Sequence, residues 1–494
     1  MKKLWILLIA TQLVCAAAVS CGGKDAGGDG ANPADAQKKA SEGEPDVLEA
    51  WEYVYPEMDG GGGDFVFFTP ITGWSYYTDL VFEEPPGEAL DDAIYKRNRF
   101  IEDKFNINIK AVERDIGEIQ NQLKKVVSSG SDEYDASFCP AAFGGNIGAL
   151  ITQKIFCNLR EIPTMDLSGE WWNQTINEEA AIGSGDKLYY AGCGVNLFTL
   201  QAVSCVYFNQ DMMSDLALEL PYNAVRSGKW TFDAFNRYMK AGAQQNGADS
   251  WKWDAGGPAV YGLASYQDSA TALLAGSSER FVVTDSGGRP QVAIEGERFI
   301  NALTKIQEML QLQNGEFICA NDISSGFYFE PMFKNNRALM ILGELKSADG
   351  YRDMEATFGI VPVPKYDENQ KDYYSHLIYP APVLVIPVSN PRPDFTGAVL
   401  DAMAYVSNRD VTPVYFDVSV SQKKLRNEDS VEMLQIIKNS GSFELGMAYG
   451  WTNDFYFAIH MEMGSGGKFD IASQIEKHRG KIEANIEKTM ELFE

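Results

Sequence analysis

The chain has 494 residues, 45% of them apolar, 22% charged and 12% aromatic. That is the composition of a folded protein, and the length exceeds what one hydrophobic core serves, so two or three domains are expected. Forty-two basic residues against 69 acidic ones give a net charge of -27, an excess that repels phosphate backbones and anionic lipid surfaces and argues against a nucleic-acid partner. His376, His460 and His478 lie far apart in the sequence, without metal-ligand spacing, so no zinc chemistry, metal or cofactor is expected.

The first segment is a leader. Met1-Lys2-Lys3 is basic, an apolar run follows to Val19 broken only by Thr11 and Gln12, and the run ends in Ala18-Val19-Ser20-Cys21. This is the layout of a secretory signal peptide with small residues before its cleavage site. A cysteine directly after them resembles a bacterial lipobox, with Ala18 where Leu is commoner. The resemblance implies cleavage after residue 20 and acylation of Cys21, which would hold the mature chain on the outer leaflet of the cell membrane. Residues 21–63 are rich in Gly, Ala, Asp, Glu and Lys and close on Gly60-Gly61-Gly62-Gly63. Such a stretch buries too little apolar surface to order itself and reads as a flexible tether. Trp51, Tyr53, Val54 and Tyr55 form an apolar island within it. No later segment has the ~18 uninterrupted apolar residues of a membrane span.

From residue 64 the pattern alternates between strand and helix. Asp64 to Thr69 is a short apolar strand, and residues 89–105 carry Ile94, Asn98, Ile101 and Phe105 on one helical stripe. Residues 107–112 alternate as a strand, 116–127 return to helical spacing, and 134–138 form a third strand before Pro140. A β-α-β-α-β order predicts parallel strands joined by right-handed crossovers, hence an α/β domain. Ligands in such sheets gather beyond the carboxyl ends of the strands, here residues 69–74 and 139–145. Five cysteines in the body (Cys139, Cys157, Cys193, Cys205 and Cys319) are too few and too uneven for a disulfide framework. Cys193 and Cys205 could pair across a hairpin; buried free thiols are the favoured reading.

Later motifs arrive in a recognisable order. Tyr207-Phe208-Asn209 precedes Leu220-Pro221, then Gly228-Lys229-Trp230-Thr231-Phe232-Asp233-Ala234-Phe235. Tyr261-Gly262-Leu263-Ala264 follows, then Phe333 to Gly343 with its Ala338-Leu339-Met340, then Phe358 to Lys365 with Pro362 and Pro364. From about residue 64 to the C-terminus this succession resembles the family-1 extracellular solute-binding proteins, the carbohydrate-type receptors of ABC importers. The resemblance implies a two-lobed, periplasmic-binding-protein-like α/β fold of type II, its lobes joined by crossing hinge strands and closing on a ligand. The crossings are expected at residues 203–209 and 382–387. Lobe one would hold 64–205 and 380–410; lobe two would hold 206–379 and 411–494. Helices are expected at 395–408, 430–439 and, solvated, at 478–493. The family's Trp after the glycine of the third motif is missing, because the chain reads Gly343-Glu344-Leu345.

A carbohydrate site needs flat aromatic platforms and planar hydrogen-bonding groups. Nine Trp and 23 Tyr supply candidates. Trp74 lies in the first strand-end loop, Trp171 and Trp172 follow Ser168-Gly169, and Trp253 sits in a Gly- and Asp-rich stretch. Trp230 stands at a helix start, Trp451 lies in the loop Tyr449-Gly450-Trp451-Thr452-Asn453, and Glu344 ends a strand facing the expected cleft. Each Trp has a core role as its alternative, and Glu344 a solvated one.

Other chemistries find no motif. Gly60 to Gly63 lacks the Lys-Ser or Lys-Thr of a phosphate loop, and no Gly-x-Ser-x-Gly elbow occurs. Residues 367–372 read as a polar turn rather than a calcium loop. The expectation is therefore a monomeric, non-enzymatic, lipid-anchored receptor that captures a carbohydrate, an oligosaccharide by family type, for an ABC permease. A lipoprotein glycoside hydrolase or lyase, and a non-transport sugar sensor or adhesin, are the alternatives. An oligosaccharide library separates them, since only an enzyme yields product.

Overall fold

A computed structural model describes residues 53–493 apart from 74–75, 77–78, 184–186, 323–326, 352 and 421–427. The chain divides into two units, Met1–Val54 and Tyr55–Glu494, and everything below concerns the second. The signal peptide, Cys21, Trp51 and Trp74 lie outside the described residues.

Two mixed sheets organise the body. The first has the order Pro382–Val385, Ala136–Pro140, Gly63–Ile71, Ile107–Asp115. Gly63–Ile71 runs parallel to both neighbours, with Phe67 opposite Ala111 on one side and Ala136 on the other. Pro382–Val385 is antiparallel to its neighbour, placing Val383 opposite Cys139. The helix Ala89–Phe105 occupies the expected span and buries Ile94, Asn98, Ile101 and Phe105. It ends at Asn106, whose left-handed φ of 49° is tolerable for Asn. Parallel strands buried on both faces need apolar runs rather than alternation, and Phe65, Phe67, Phe68 and Phe138 supply them, each fully buried.

The second sheet has the order Phe358–Pro362, Ser204–Asn209, Ala338–Glu344, Tyr261–Ser265, Phe317–Cys319. Ser204–Asn209 is antiparallel to both neighbours, with Gly343 opposite Cys205 and Val361 opposite Val206. Ala338–Glu344, Tyr261–Ser265 and Phe317–Cys319 run parallel. All three therefore end on the same edge, at Glu344, Ser265 and Cys319.

The chain passes between the sheets where Val203 pairs antiparallel with Leu377 and Ala191 with Leu384. Val203 also accepts from Leu345 N at 2.9 Å, which ties the crossing to the end of Ala338–Glu344. The helix Pro393–Val406 passes through a π-turn, Ser407–Val411, into Thr412–Val420. Arg97 holds that turn from inside, donating to Val195 O at 2.9 Å and Ser407 Oγ at 3.1 Å.

Two expectations are adjusted. Gly60 to Gly63 are bonded into the body rather than closing a tether: Gly60 N donates to Phe105 O at 2.7 Å and Gly62 N to Asn106 O at 2.8 Å. A Cβ on Gly60 would stand 2.2 Å from the Ile107 side chain, so the close approach itself requires glycine. The C-terminal helix is longer than expected, Ile471–Met490, and packs inward along Ile475, His478, Ile482, Ile486 and Met490. Cys193 and Cys205 are free buried thiols, like Cys139, in line with the favoured reading.

Candidate ligand-binding site

The carboxyl ends of the parallel strands in both sheets converge on one cluster of tyrosines and carboxyl groups. Tyr76 follows Gly63–Ile71. Phe143 follows Ala136–Pro140, and Tyr379 precedes Pro382–Val385. The backbone fixes this last pair, because Ala142 N donates to Tyr379 O and Ala141 N to Ala381 O, each at 3.2 Å. Their rings lie 6.1 Å apart at 25°. From the second sheet come Tyr266 and Asp268 after Tyr261–Ser265, and Glu344 at the end of Ala338–Glu344. Lys346 sits in the following 3-10 turn, Leu345–Tyr351. Tyr328 and Glu330 stand either side of Phe329 at the start of the helix Phe329–Lys334.

Contacts join the two sides. Lys346 Nζ lies 5.3 Å from the centroid of the Tyr76 ring. The same phenol ring stacks on Phe198 at 4.3 Å and 21°. Tyr266 meets Tyr328 edge-on at 6.3 Å and His460 at 6.1 Å. Tyr379 meets Phe457 at 5.6 Å. Tyr207, at 0% exposure, donates its hydroxyl to Glu344 O at 3.1 Å and Leu345 O at 2.9 Å, which pins the turn carrying Glu344 and Lys346.

Asp268 and Glu344 form a side-chain hydrogen bond with each other. Two ionised carboxylates cannot do so, and one proton must lie between them. Burial raises both above the ordinary carboxylate range, and the charges of Asp268 and Glu330 raise Glu344 further. Burial also raises Glu330, opposed by a hydrogen bond from Ser347 and by the charge of Lys346. Lys346 is pulled down by its own desolvation, while Asp349, Glu330 and Glu344 act to keep it charged. Burial, then the charges of Glu344 and Asp268, push Tyr76 well up, so its hydroxyl stays protonated. Beneath the cluster His460 is lowered to about 4 by burial and is neutral at pH 7. The site thus offers aromatic faces, neutral phenols, a carboxyl pair with one shared proton, and one ammonium. That set can stack on a ring and both donate to and accept from hydroxyl groups.

Of the described sequence candidates, Glu344 stands in this cluster. Trp230 is 0% exposed; its indole N–H donates to Pro362 O at 2.8 Å and its ring meets Phe235 and Tyr238. Trp451 is 4% exposed, stacked on Tyr449 at 4.6 Å and donating to Thr489 Oγ1 at 2.8 Å. Trp171 and Trp172 both donate to Asp401 Oδ1 at 2.9 Å. Trp253 stacks at 5.3 Å on Phe327, the residue before the cluster's Tyr328, and the Arg337 guanidinium lies 4.6 Å from the Trp253 ring centroid. Asp367 accepts from Asn369 N and Gln370 N, a polar turn as expected. Sequence reasoning missed Tyr76, Tyr266, Asp268, Tyr328 and Tyr379. The available signal was position, since most of them follow or precede a strand end within a few residues.

No protein-family model matches the chain, and no curated protein does. Solved structures do. An ABC substrate-binding protein from Listeria monocytogenes, in complex with cycloalternan, aligns with a TM-score of 0.51 over 87% of this chain and 99% of its own, at 14% identity. A cyclo/maltodextrin-binding protein complexed with maltotetraose aligns with a TM-score of 0.55 over 86% and 97%, at 12% identity. A sugar transporter from Rhizobium etli in an open conformation aligns with a TM-score of 0.54 over 85% and 99%, at 14% identity. The chain therefore has the two-lobed α/β fold of the periplasmic-binding-protein type that these structures share.

Proposed function

We propose that this protein is an extracytoplasmic carbohydrate receptor, anchored through an acylated Cys21, that captures an oligosaccharide between its lobes and delivers it to an ABC importer. The observation that carries the reading is the meeting of Tyr76 with Lys346, with the charge of Glu344 bearing on the same phenol, which brings strand-end groups of both sheets onto one aromatic and carboxyl-lined site. The lobes are 64–205 with 380–410, and 206–379 with 411–494. Sheet membership supports this division, because Pro382–Val385 returns to the first sheet after the chain has built the second. The solved structures of this fold named above, in complex with cycloalternan and with maltotetraose, support a carbohydrate as the ligand class.

The carboxyl pair supports binding rather than hydrolysis. Glycoside hydrolases hold their two carboxyl groups about 5–9.5 Å apart to admit a nucleophile or a water. Asp268 and Glu344 instead touch through a hydrogen bond. A thermal-shift screen of the mature chain against an oligosaccharide library tests the reading. A ligand at 100 times its dissociation constant adds ~2.7 kcal/mol of stability. Stoichiometric binding with the sugar recovered intact is expected; released product, or no hit among the oligosaccharides, overturns it.

A further inference from the structure

A cavity of about 250 Å³ lies away from the tyrosine cluster, beside the chain crossing. Its walls are largely apolar and include Trp171, Trp172, Leu200 and Val203; Lys438, Asn408 and the exposed carboxylate Glu170 supply polar groups. We propose that this cavity is a second ligand site, for a small aromatic carboxylate whose ring lies along Trp171 and whose carboxylate pairs with Lys438.

The wall is built rather than incidental. Asp401 is 3% exposed and takes the N–H of both indoles on one oxygen, at 2.9 Å each. Tyr405 meets Trp171 edge-on at 5.5 Å with an interplanar angle of 89°. Two large rings are thus fixed before any ligand arrives, which removes part of the ordering cost of binding. The volume suits one ring with a short substituent and falls below the ~300 Å³ at which larger ligand pockets begin.

Charge selects the substituent. The Lys438 ammonium donates to the amide oxygen of Asn408, a neutral partner. Burial lowers its pKa, and the charge of Glu170 opposes that through space and helps to keep it an ammonium. An ammonium drawn out of water against a neutral amide is a site that an anion completes, with a charge-assisted hydrogen bond. A neutral ring of the same shape would lack that bond.

Position connects the cavity to the cleft. The five-residue helix Leu197–Gln201 turns Phe198 onto Tyr76 at 4.3 Å and presents Thr199 and Leu200 to the cavity. Val203 then begins the passage into the second sheet. An occupant here touches the residues about which the lobes would move, without touching the carbohydrate site.

Titration calorimetry of the full mature chain with sodium benzoate at pH 7 tests the proposal, with benzamide as the neutral isostere. Benzoate should bind one to one, and Lys438→Met should weaken it about tenfold or more, the cost of one charge-assisted hydrogen bond. Lys438→Arg should restore binding, and benzamide should bind no better to the wild type than benzoate does to Lys438→Met. Absence of saturable benzoate binding, unchanged affinity in Lys438→Met, or equal binding of benzamide would each overturn the proposal. If Lys438→Met fails to fold by circular dichroism, the contrast between benzoate and benzamide on the wild type decides. The probes contain no sugar, so the result is independent of the carbohydrate reading.

Discussion

Asp268 and Glu344 share one proton at the ends of adjacent parallel strands, Tyr261–Ser265 and Ala338–Glu344. The arrangement places a donor and several acceptors within one small polar centre while limiting its net charge. Folding thereby holds a proton that the unfolded chain would release.

The sign of the resulting pH dependence follows from the raised values. Below the ordinary glutamate value of 4.5 both states carry the proton, and the pair costs folding nothing. As pH rises past that value the unfolded chain loses the proton first, so stability is lost progressively up to the raised native value. Glu344→Gln keeps a donor to Asp268 without an ionisable proton. Its urea midpoint should match or trail the wild type near pH 4.5 and gain on it steadily toward pH 8. A difference between the two that does not change with pH would refute the shared proton.

Much of the framework was legible because it rests on local periodicity. The helix Ala89–Phe105 was readable from one stripe, and the parallel pairing of the first three strands from the β-α-β-α-β alternation. The site was less legible for a physical reason. Sequence reading favoured tryptophans for their area, yet area is also what a core recruits: Trp230 and Trp451 are 0% and 4% exposed. Most rings that gather at the strand ends are tyrosines, one type among 23 copies, and only tertiary geometry separates Tyr266 from the buried Tyr261 five positions earlier. Glu344 was singled out because its position at a strand end was itself the argument. The partnership with Asp268 joins residues 76 positions apart and had no sequence signal.

The tryptophan assignments separate by where a truncation is felt. Trp230→Ala and Trp451→Ala each remove a buried ring and strand a carbonyl or hydroxyl partner. Each should cost ~3–5 kcal/mol of folding stability by denaturant titration, as large aromatic truncations in cores do. Carbohydrate affinity of the folded fraction should be unchanged. A stable Trp451→Ala variant with weakened binding would return that residue to the ligand site.

Anchoring is tested apart from binding. Cys21→Ala removes the thiol that the lipobox reading acylates. Without two or more acyl chains the mature protein has no stable hold on a bilayer, so the variant should appear in the culture medium, with ligand affinity unaltered. Retention of Cys21→Ala in the membrane fraction would refute the lipid anchor.

Tyr76 gives the most direct test of the cleft. It comes from the first sheet, is stacked on Phe198 at 4.3 Å, and lies 5.3 Å from the Lys346 ammonium of the second sheet. An aromatic platform contributes on the order of 1 kcal/mol beyond simple area burial, so its loss should weaken carbohydrate binding roughly tenfold or more. Tyr76→Ala should show that loss by calorimetry with a modest change in denaturation midpoint, because the ring is half-buried rather than enclosed. Tyr76→Phe separates the ring from its hydroxyl. If the ring stacks on the ligand, Tyr76→Phe should bind within a few-fold of wild type. If the hydroxyl carries the contact, Tyr76→Phe and Tyr76→Ala should fall together. Lys346→Met should leave Tyr76 in place, stacked on Phe198, and should weaken binding through the lost donor alone. Tyr76→Ala binding as tightly as wild type would remove the first sheet's aromatic from the site and with it the reading of a ligand held between the lobes.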